Sequence, residues 1–256
     1  DEVNSQTGQF TDTVGIVKTI DRLRVVGLGG SFTYSVDCGT SSPNRGWVNN
    51  KPINNGECLM WGNPIAEMMY EALRYFDGAG SPRTEYNYTS TTAKDAVAPL
   101  NLPKPSWNRP YTNGGADGKG FLRCATPVMT VISDINPSYD GDLPGSKFNT
   151  AFSGASDPEN VRGLNVSNEV DLIWNAEGAA TRNVFIGESN GAANNAPTPK
   201  TAVNFSSLRG LSPEEPGKLG TFYSAGVARY GANNAIGGEK RVQTYSVALS
   251  SPLPSL

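Results

Sequence analysis

Asn63-Pro64-Ile65-Ala66-Glu67-Met68-Met69-Tyr70-Glu71-Ala72-Leu73-Arg74-Tyr75-Phe76 reads as an amphipathic helix with its start signal attached. Asn63 stands at the N-cap, where a short polar side chain can accept from orphan amides. Pro64 takes the first helical position, where its missing N–H is no loss. Ile65, Met68, Met69, Ala72, Leu73 and Phe76 recur at i, i+3, i+4, i+7, i+8 and i+11, a single apolar stripe, with Glu67, Glu71 and Arg74 off it. Gly78 and Gly80 stop the helix.

Working outward, the run Val128-Met129-Thr130-Val131-Ile132-Ser133 is short, apolar and β-branched, as a buried parallel strand is. Val166 to Trp174 reads as a helix and Arg182 to Ile186 as a second buried strand. Leu219 to Tyr230 reads as a helix and Arg241 to Leu249 as a last strand. Helix and strand alternate, so the expected fold class is α/β, a mostly parallel sheet flanked by helices. Val128 to Ser133 is expected at the centre of that sheet, with the 64–76 helix packed on it through Ile65, Met69 and Phe76. Nearer the start, Thr11 to Val26 reads as a helix and Ser31 to Asp37 as a strand. Ala79 to Gly120 holds no period and carries Tyr86, Tyr88, Trp107 and Tyr111, a long loop excursion of the kind that is often functional. Asn194 to Pro199 reads as a linker-like loop.

Composition narrows the function classes. The chain has 256 residues, enough for a real core, a net charge of −3 and a pI near 5.1. Without a basic patch it is no nucleic-acid binder. No apolar stretch is long enough to span a bilayer. The chain begins at Asp1 and carries no signal peptide, so an exported protein would have its targeting segment upstream. Its 29 Gly and 18 Pro describe a loop-heavy domain.

Histidine is absent from the sequence. A Ser-His-Asp triad, a Cys-His dyad and a His-ligated zinc site are therefore impossible within it. Gly187-Glu188-Ser189-Asn190-Gly191 does spell the G-x-S-x-G of a nucleophile elbow after a strand. The next residues, Ala192-Ala193-Asn194-Asn195-Ala196-Pro197, make a poor helix, and Ser189 has no imidazole to take its proton. A Gly/Asn-rich turn is the better reading, and the chain is read as a non-enzyme.

Cys38 and Cys58 bracket a turn-rich segment that a disulfide would staple in an oxidising compartment. Two reduced cysteines are the alternative. Cys124 is then odd.

At the end of the 128–133 run, Asp134, Asn136, Ser138, Asp140 and Asp142 set oxygen-bearing side chains close together, as hard cations such as Ca²⁺ and Mg²⁺ prefer. An EF-hand is excluded by Tyr139 where glycine is required and Gly145 where the bidentate glutamate belongs. The alternative is a polar loop capping its own backbone.

Four blocks carry a family resemblance. Gly62 to Phe76 resembles the G-x-T-P-L-A-E-x-x-Y-E-A-x-R-Y-F stretch of the PilC/PilY family, proteins associated with the type IV pilus tip. Ile132 to Gly145 resembles its D-x-x-P-S-x-D-x-D-L-P-G strand end, Phe222 to Ala228 its Y-x-x-A-G-L-A helix, and Lys240 to Val247 its K-x-V-x-T-Y-x-V strand. Order and spacing agree, over most of the chain from about Gly8 onward. The resemblance implies a von Willebrand factor A-like region over 1–256, incomplete at its N-terminus, with the excursion at 79–120. It also implies a non-enzymatic adhesion and pilus-assembly module, found after export at the cell surface, the pilus tip or the outer membrane. Its partners would be minor pilins, other parts of the same tip protein, and host or abiotic surface ligands. A metal-ion-dependent adhesion site of that fold would place Asp134 at a strand end and Asn63 where a threonine is expected. Its D-x-S-x-S occurs nowhere in this chain. Asp134 and Asn63 are thus degenerate positions for Ca²⁺ or Mg²⁺. Competing readings are a secreted carbohydrate- or matrix-binding module using the aromatic loop, and a serine hydrolase-like enzyme built on Ser189.

Overall fold

The computed structural model describes residues 2–13, 15–22, 63–87, 102–104, 106–108, 110–111, 125–134, 136–149, 161, 163–211, 216–237 and 240–249. The strand read at Ser31 to Asp37 and the cysteines Cys38, Cys58 and Cys124 lie outside these residues. The helices are α1 (Ile16–Arg22), α2 (Ile65–Asp77), α3 (Val166–Ala176) and α4 (Tyr223–Asn233). The strands are β1 (Val128–Ser133), β2 (Arg182–Ile186), β3 (Thr198–Ala202) and β4 (Gln243–Ala248). Single 3₁₀ turns stand at Thr84–Tyr86 and Pro216–Lys218. The molecule is thus of mixed helix and strand, as the alternation predicts.

Among the described residues the strands form two pairs. β1 and β4 run parallel, Val128 opposite Gln243 through Ser133 opposite Ala248. β2 and β3 run antiparallel, Arg182 opposite Ala202 and Ile186 opposite Thr198. β3 begins inside the stretch read as a linker-like loop, because Lys200 turns inward and is buried, its Nζ donating to the carbonyls of Ile186 (2.5 Å) and Ala196 (2.8 Å). The expectation of a mostly parallel sheet holds for β1 and β4 and not for this hairpin.

α2 and α4 close over one face of the parallel pair, and α3 packs on α4. Ala66, Met69, Tyr70 and Leu73 of α2, Val166, Val170 and Trp174 of α3, and Tyr223, Val227 and Tyr230 of α4 share a core with Met129 and Val242. Glycines let the helices approach. A Cβ on Gly226 would stand 2.8 Å from Val170 Cγ1, and one on Gly231 would stand 3.2 Å from Leu73 Cδ2. α2 ends where the sequence stops it, with Gly78 left-handed at φ 93° and its amide bonded to the last carbonyls.

Several expectations are corrected by which surfaces receive cover. β1 is not buried on both faces: Met129 points inward, while Val128 and Ile132 are exposed, as are Tyr245, Val247 and Leu249 around β4. β2 is likewise one-sided, with Ile186 buried and Phe185 exposed. Arg182 at its start lies 4.3 Å over the Trp174 ring, tying the hairpin to α3. On α2 the buried arc is turned by about one residue: Met68 is exposed, and Tyr70 and Arg74 are buried in its stead. Arg74 is tolerated inside because Glu71 Oε1 accepts from it at 2.8 Å. α1 begins at Ile16, later than the Thr11 that the pattern suggests, and leaves Ile16 and Ile20 exposed. α4 starts later than Leu219, because Leu219 is left-handed (φ 57°) and cannot continue a helix.

Candidate functional site

The chain between β1 and residue 145 crosses the start of α2 and seats against the entrance to α4. Asn63 lies at its base. The sequence suggests an N-cap there, but Pro64 precedes the first helical residue and no side chain caps the helix. The Asn63 side chain turns instead to the end of β1. Its Nδ2 donates to Ser133 Oγ at 2.8 Å, to Asp134 Oδ1 at 2.7 Å and to the Asn136 carbonyl at 3.1 Å. Its Oδ1 accepts from Ser133 Oγ at 3.1 Å. Its backbone is held as firmly: the Asn63 amide donates to Ser138 Oγ at 2.5 Å, and the Ser138 amide donates to the Asn63 carbonyl at 2.9 Å. Asp134 Oδ1 also accepts from the Asn136 amide at 2.9 Å, an Asx turn.

The two predicted site residues are therefore brought into contact. Their donor set is one exposed carboxylate, an amide and hydroxyls, with the amide nitrogen already on the carboxylate. Ca²⁺ takes about six to eight oxygens, and this set by itself does not fit that demand. Among the described residues, no group of three or more carboxylate or thiol side chains is placed to hold a metal ion.

Deeper in the loop lies a second cluster, in which Asp140 and Asp142, read from the sequence as oxygen-bearing cation candidates, are joined by Glu67, which sequence reasoning did not assign. Asp140 is fully buried, and its Oδ1 accepts from the Thr221 amide at 2.8 Å. Asp140 Oδ2 is buried without a hydrogen-bond partner. Glu67, read from the sequence as off the apolar stripe, accepts from the Asp142 amide at 3.1 Å. Asp142 in turn accepts from Asn149 Nδ2 at 2.5 Å, and its carbonyl accepts from the Tyr86 hydroxyl. Burial, with the charges of Asp142, Asp140 and Glu71 adding, pushes the Glu67 carboxyl up to about 9. Burial pushes Asp140 up to about 7, against the pull of the Thr221 amide and of Arg209. One signal was available in advance: Glu67 lies in the first turn of α2, close after Asn63, at the end of the helix that the loop crosses.

Two backbone features fix the loop's path. Tyr139 is left-handed (φ 53°), and its amide donates to the Lys218 carbonyl at 2.9 Å. Gly220 is pressed on Pro137, so closely that a Cβ there would stand 1.9 Å from the Pro137 carbonyl oxygen.

The other candidates are accounted for differently. Ser189 comes after β2 but does not enter a helix. Glu188 pairs in an isolated bridge with Arg209, the chain turns so that the Ala192 amide donates to the Ser189 carbonyl at 2.9 Å, and β3 comes next. Ser189 Oγ is buried without a partner, which is not the raised, exposed hydroxyl of a nucleophile elbow. In the aromatic excursion, Trp107 stacks edge-on to Tyr75 at 5.9 Å and Tyr111 lies 6.5 Å from Phe76. Both rings are half-buried against α2. Among the described residues no helix is long and apolar enough to cross a membrane.

Over residues 1–231 the chain matches the family described as "PilY1 homolog, second domain". It is 52% identical over 262 aligned residues to the "Type IV pilus biogenesis factor PilY1 homolog" of Xylella fastidiosa (strain Temecula1). That alignment covers 99% of this chain and 17% of the relative's length. No solved structure matches.

Proposed function

The chain belongs to the family of PilY1 homolog second domains, and from that premise we propose that it is a non-enzymatic module of type IV pilus assembly and cell-surface adhesion, carried at the pilus tip. The observation that carries this reading is the 52% identity, sustained across 99% of the chain, to a protein named as a pilus biogenesis factor. Chemistry agrees with it. The sequence has no histidine, and the best-organised polar site is a set of saturated hydrogen bonds that stiffens a loop. Such a site suits holding a shape for a partner better than turning over a substrate.

In this reading the region is von Willebrand factor A-like, with β1 and β4 as neighbouring parallel strands and Asp134 with Asn63 at the degenerate adhesion-site positions. Residues outside this chain would have to complete the site for tight Ca²⁺ or Mg²⁺ binding. Minor pilins and the rest of the same polypeptide are the partners, and the cell surface is the location. Cys38 and Cys58 form a disulfide there. Trp107 and Tyr111, aromatics on which the secreted carbohydrate-binding alternative draws, lie against Tyr75 and Phe76 of α2.

The test is a deletion in a piliated bacterium whose homologous protein carries this segment. With the segment removed in frame and the remaining protein still exported, surface pili and twitching should fall together. Normal piliation and twitching would overturn the proposal.

A further inference from the structure

In the connection between β2 and β3 the chain turns on Ser189-Asn190-Gly191-Ala192. The Ala192 amide donates to the Ser189 carbonyl at 2.9 Å, and Gly191 is left-handed at φ 78°, as the third residue of a type II turn must be. The peptide joining Asn190 to Gly191 is thus the central one of the turn, and the bond that closes the turn uses neither of its polar atoms. Asn190 and Gly191 are both exposed, and a Cβ on Gly191 would meet nothing within 4 Å. Among the described residues no hydrogen bond holds the Gly191 amide or the Asn190 side chain. Asn190 is also the one described asparagine that a glycine follows; the pairs at Asn55 and Asn113 lie outside the described residues. Two described Asp-Gly pairs have the same ring-closing geometry available in sequence, and the fold restrains both. The Gly78 amide donates to the Tyr75 carbonyl at 3.1 Å, and Asp77 Oδ1 accepts from the Gly237 amide at 2.6 Å. Asp140 is fully buried, with Oδ1 on the Thr221 amide.

We propose that Asn190-Gly191 is a self-modification site, at which the folded chain converts its own asparagine to aspartate and isoaspartate without an enzyme. The Gly191 nitrogen gives its proton to solvent base and bonds to Asn190 Cγ. The Cγ–Nδ2 bond breaks, and that nitrogen takes up a proton and leaves as ammonia, closing a five-membered imide. Water then adds to either imide carbonyl, and the ring opens to aspartate or to isoaspartate. One water enters and one ammonia leaves, with no oxidant or reductant. Ring closure requires the central peptide to rotate until Gly191 N faces the side chain. The 192-to-189 bond does not involve that peptide, and glycine has no Cβ to clash as it turns. The product sets a new negative charge two residues after Glu188, whose Oε2 stands 3.8 Å from Arg209 Nη1 in the bridge beside the hairpin. Isoaspartate also adds a methylene to the backbone of the turn. The β2–β3 connection therefore loosens as the protein ages.

The experiment incubates the whole folded chain near neutral pH and in mild base, and maps its peptides by mass spectrometry. The fragment carrying residue 190 should gain the mass of an oxygen replacing NH, as a mixture of aspartate and isoaspartate. Its rate should rise roughly tenfold per pH unit while the amide anion is the attacking species. Exposed turns open at almost no free-energy cost, so the folded rate should come within about tenfold of the rate in denaturant. Asn190→Gln should abolish the gain, because the longer side chain would have to close a six-membered ring. Isoaspartate should not form at Asp77 or Asp140 while the chain stays folded. An Asn190 that reacts in denaturant and is inert in the folded chain overturns the proposal. So does an equal mass gain in Asn190→Gln, or isoaspartate forming as fast at Asp77 as at Asn190.

Discussion

The Asn63 side-chain amide donates to Asp134 Oδ1 at 2.7 Å, joining the entry to α2 and the end of β1 across 71 positions of sequence. The two N–H bonds of one asparagine amide are thus shared among three acceptors from the β1 end and its loop, and neither a threonine nor an alanine could make these contacts. Asn63→Ala should lower stability by about 1–3 kcal/mol, the cost of leaving part-buried polar groups unmade. Chemical denaturation measures this. A loss under about 0.5 kcal/mol, the range of a surface substitution, would show that the hub is decorative.

The same contact bears on cations. With Asp134 Oδ1 engaged by two amide donors, Ca²⁺ or Mg²⁺ added to this chain should bind only in about the millimolar range, like the weakest natural sites. Asp134→Ala should remove what binding there is. Titration calorimetry decides it, and micromolar affinity that vanishes in Asp134→Ala would mean that the chain holds more ligands than these.

The loop's seat is tested at a glycine. A Cβ at Gly220 would collide with the Pro137 carbonyl, whereas one at Gly80 would meet nothing within 4 Å. Gly220→Ala should cost about 3 kcal/mol or more, since backbone and not a flexible side chain would have to give way. Gly80→Ala should stay within about 0.5 kcal/mol of wild type. Similar melting temperatures for the two variants would refute the close packing of loop and α4 entrance.

Ser189 offers a test of the non-enzyme reading. Its hydroxyl is buried without a partner, so Ser189→Ala should be neutral or stabilising by up to about 1 kcal/mol. Panels of ester and peptide substrates should give no turnover. Hydrolysis by the wild type that disappears in Ser189→Ala would overturn the non-enzyme reading, and a Ser189→Ala variant clearly less stable than wild type would overturn the stability prediction.

Cys38 and Cys58 are expected to be bonded in protein isolated from an oxidising compartment, with about 2–4 kcal/mol lost on reduction. Peptide mapping without reductant checks this directly. Two free thiols in properly exported protein would end the idea.

What the sequence made legible was whatever local chemistry decides. α2 announced itself through Pro64, the apolar spacing and Gly78, and its limits are within one residue of the pattern. The strand character of β1, β2 and β4 was equally plain. Their burial was not, because Val128 and Phe185 are apolar whether or not a layer covers them. β3 was missed because Pro199 and Lys200 argue against a strand, and only the tertiary reach of Lys200 to Ile186 and Ala196 explains it. Asn63 and Asp134 could be paired by resemblance. Their direct bond, and the placing of Glu67 under Asp140 and Asp142, depend on how a loop closes, which no periodicity encodes.

β1 and β4 lie side by side, yet the register pairs residue 128 with residue 243. α3, the β2–β3 hairpin and α4 all intervene in the chain. A polypeptide that emerges N-terminus first, from a ribosome or through an export channel, must hold β1 without its partner until nearly the whole segment has appeared. Long-range parallel pairing of this kind is slow to nucleate, and waiting strand edges invite misassembly. The order of emergence, more than final stability, is then the step at which a chaperone would have most to do.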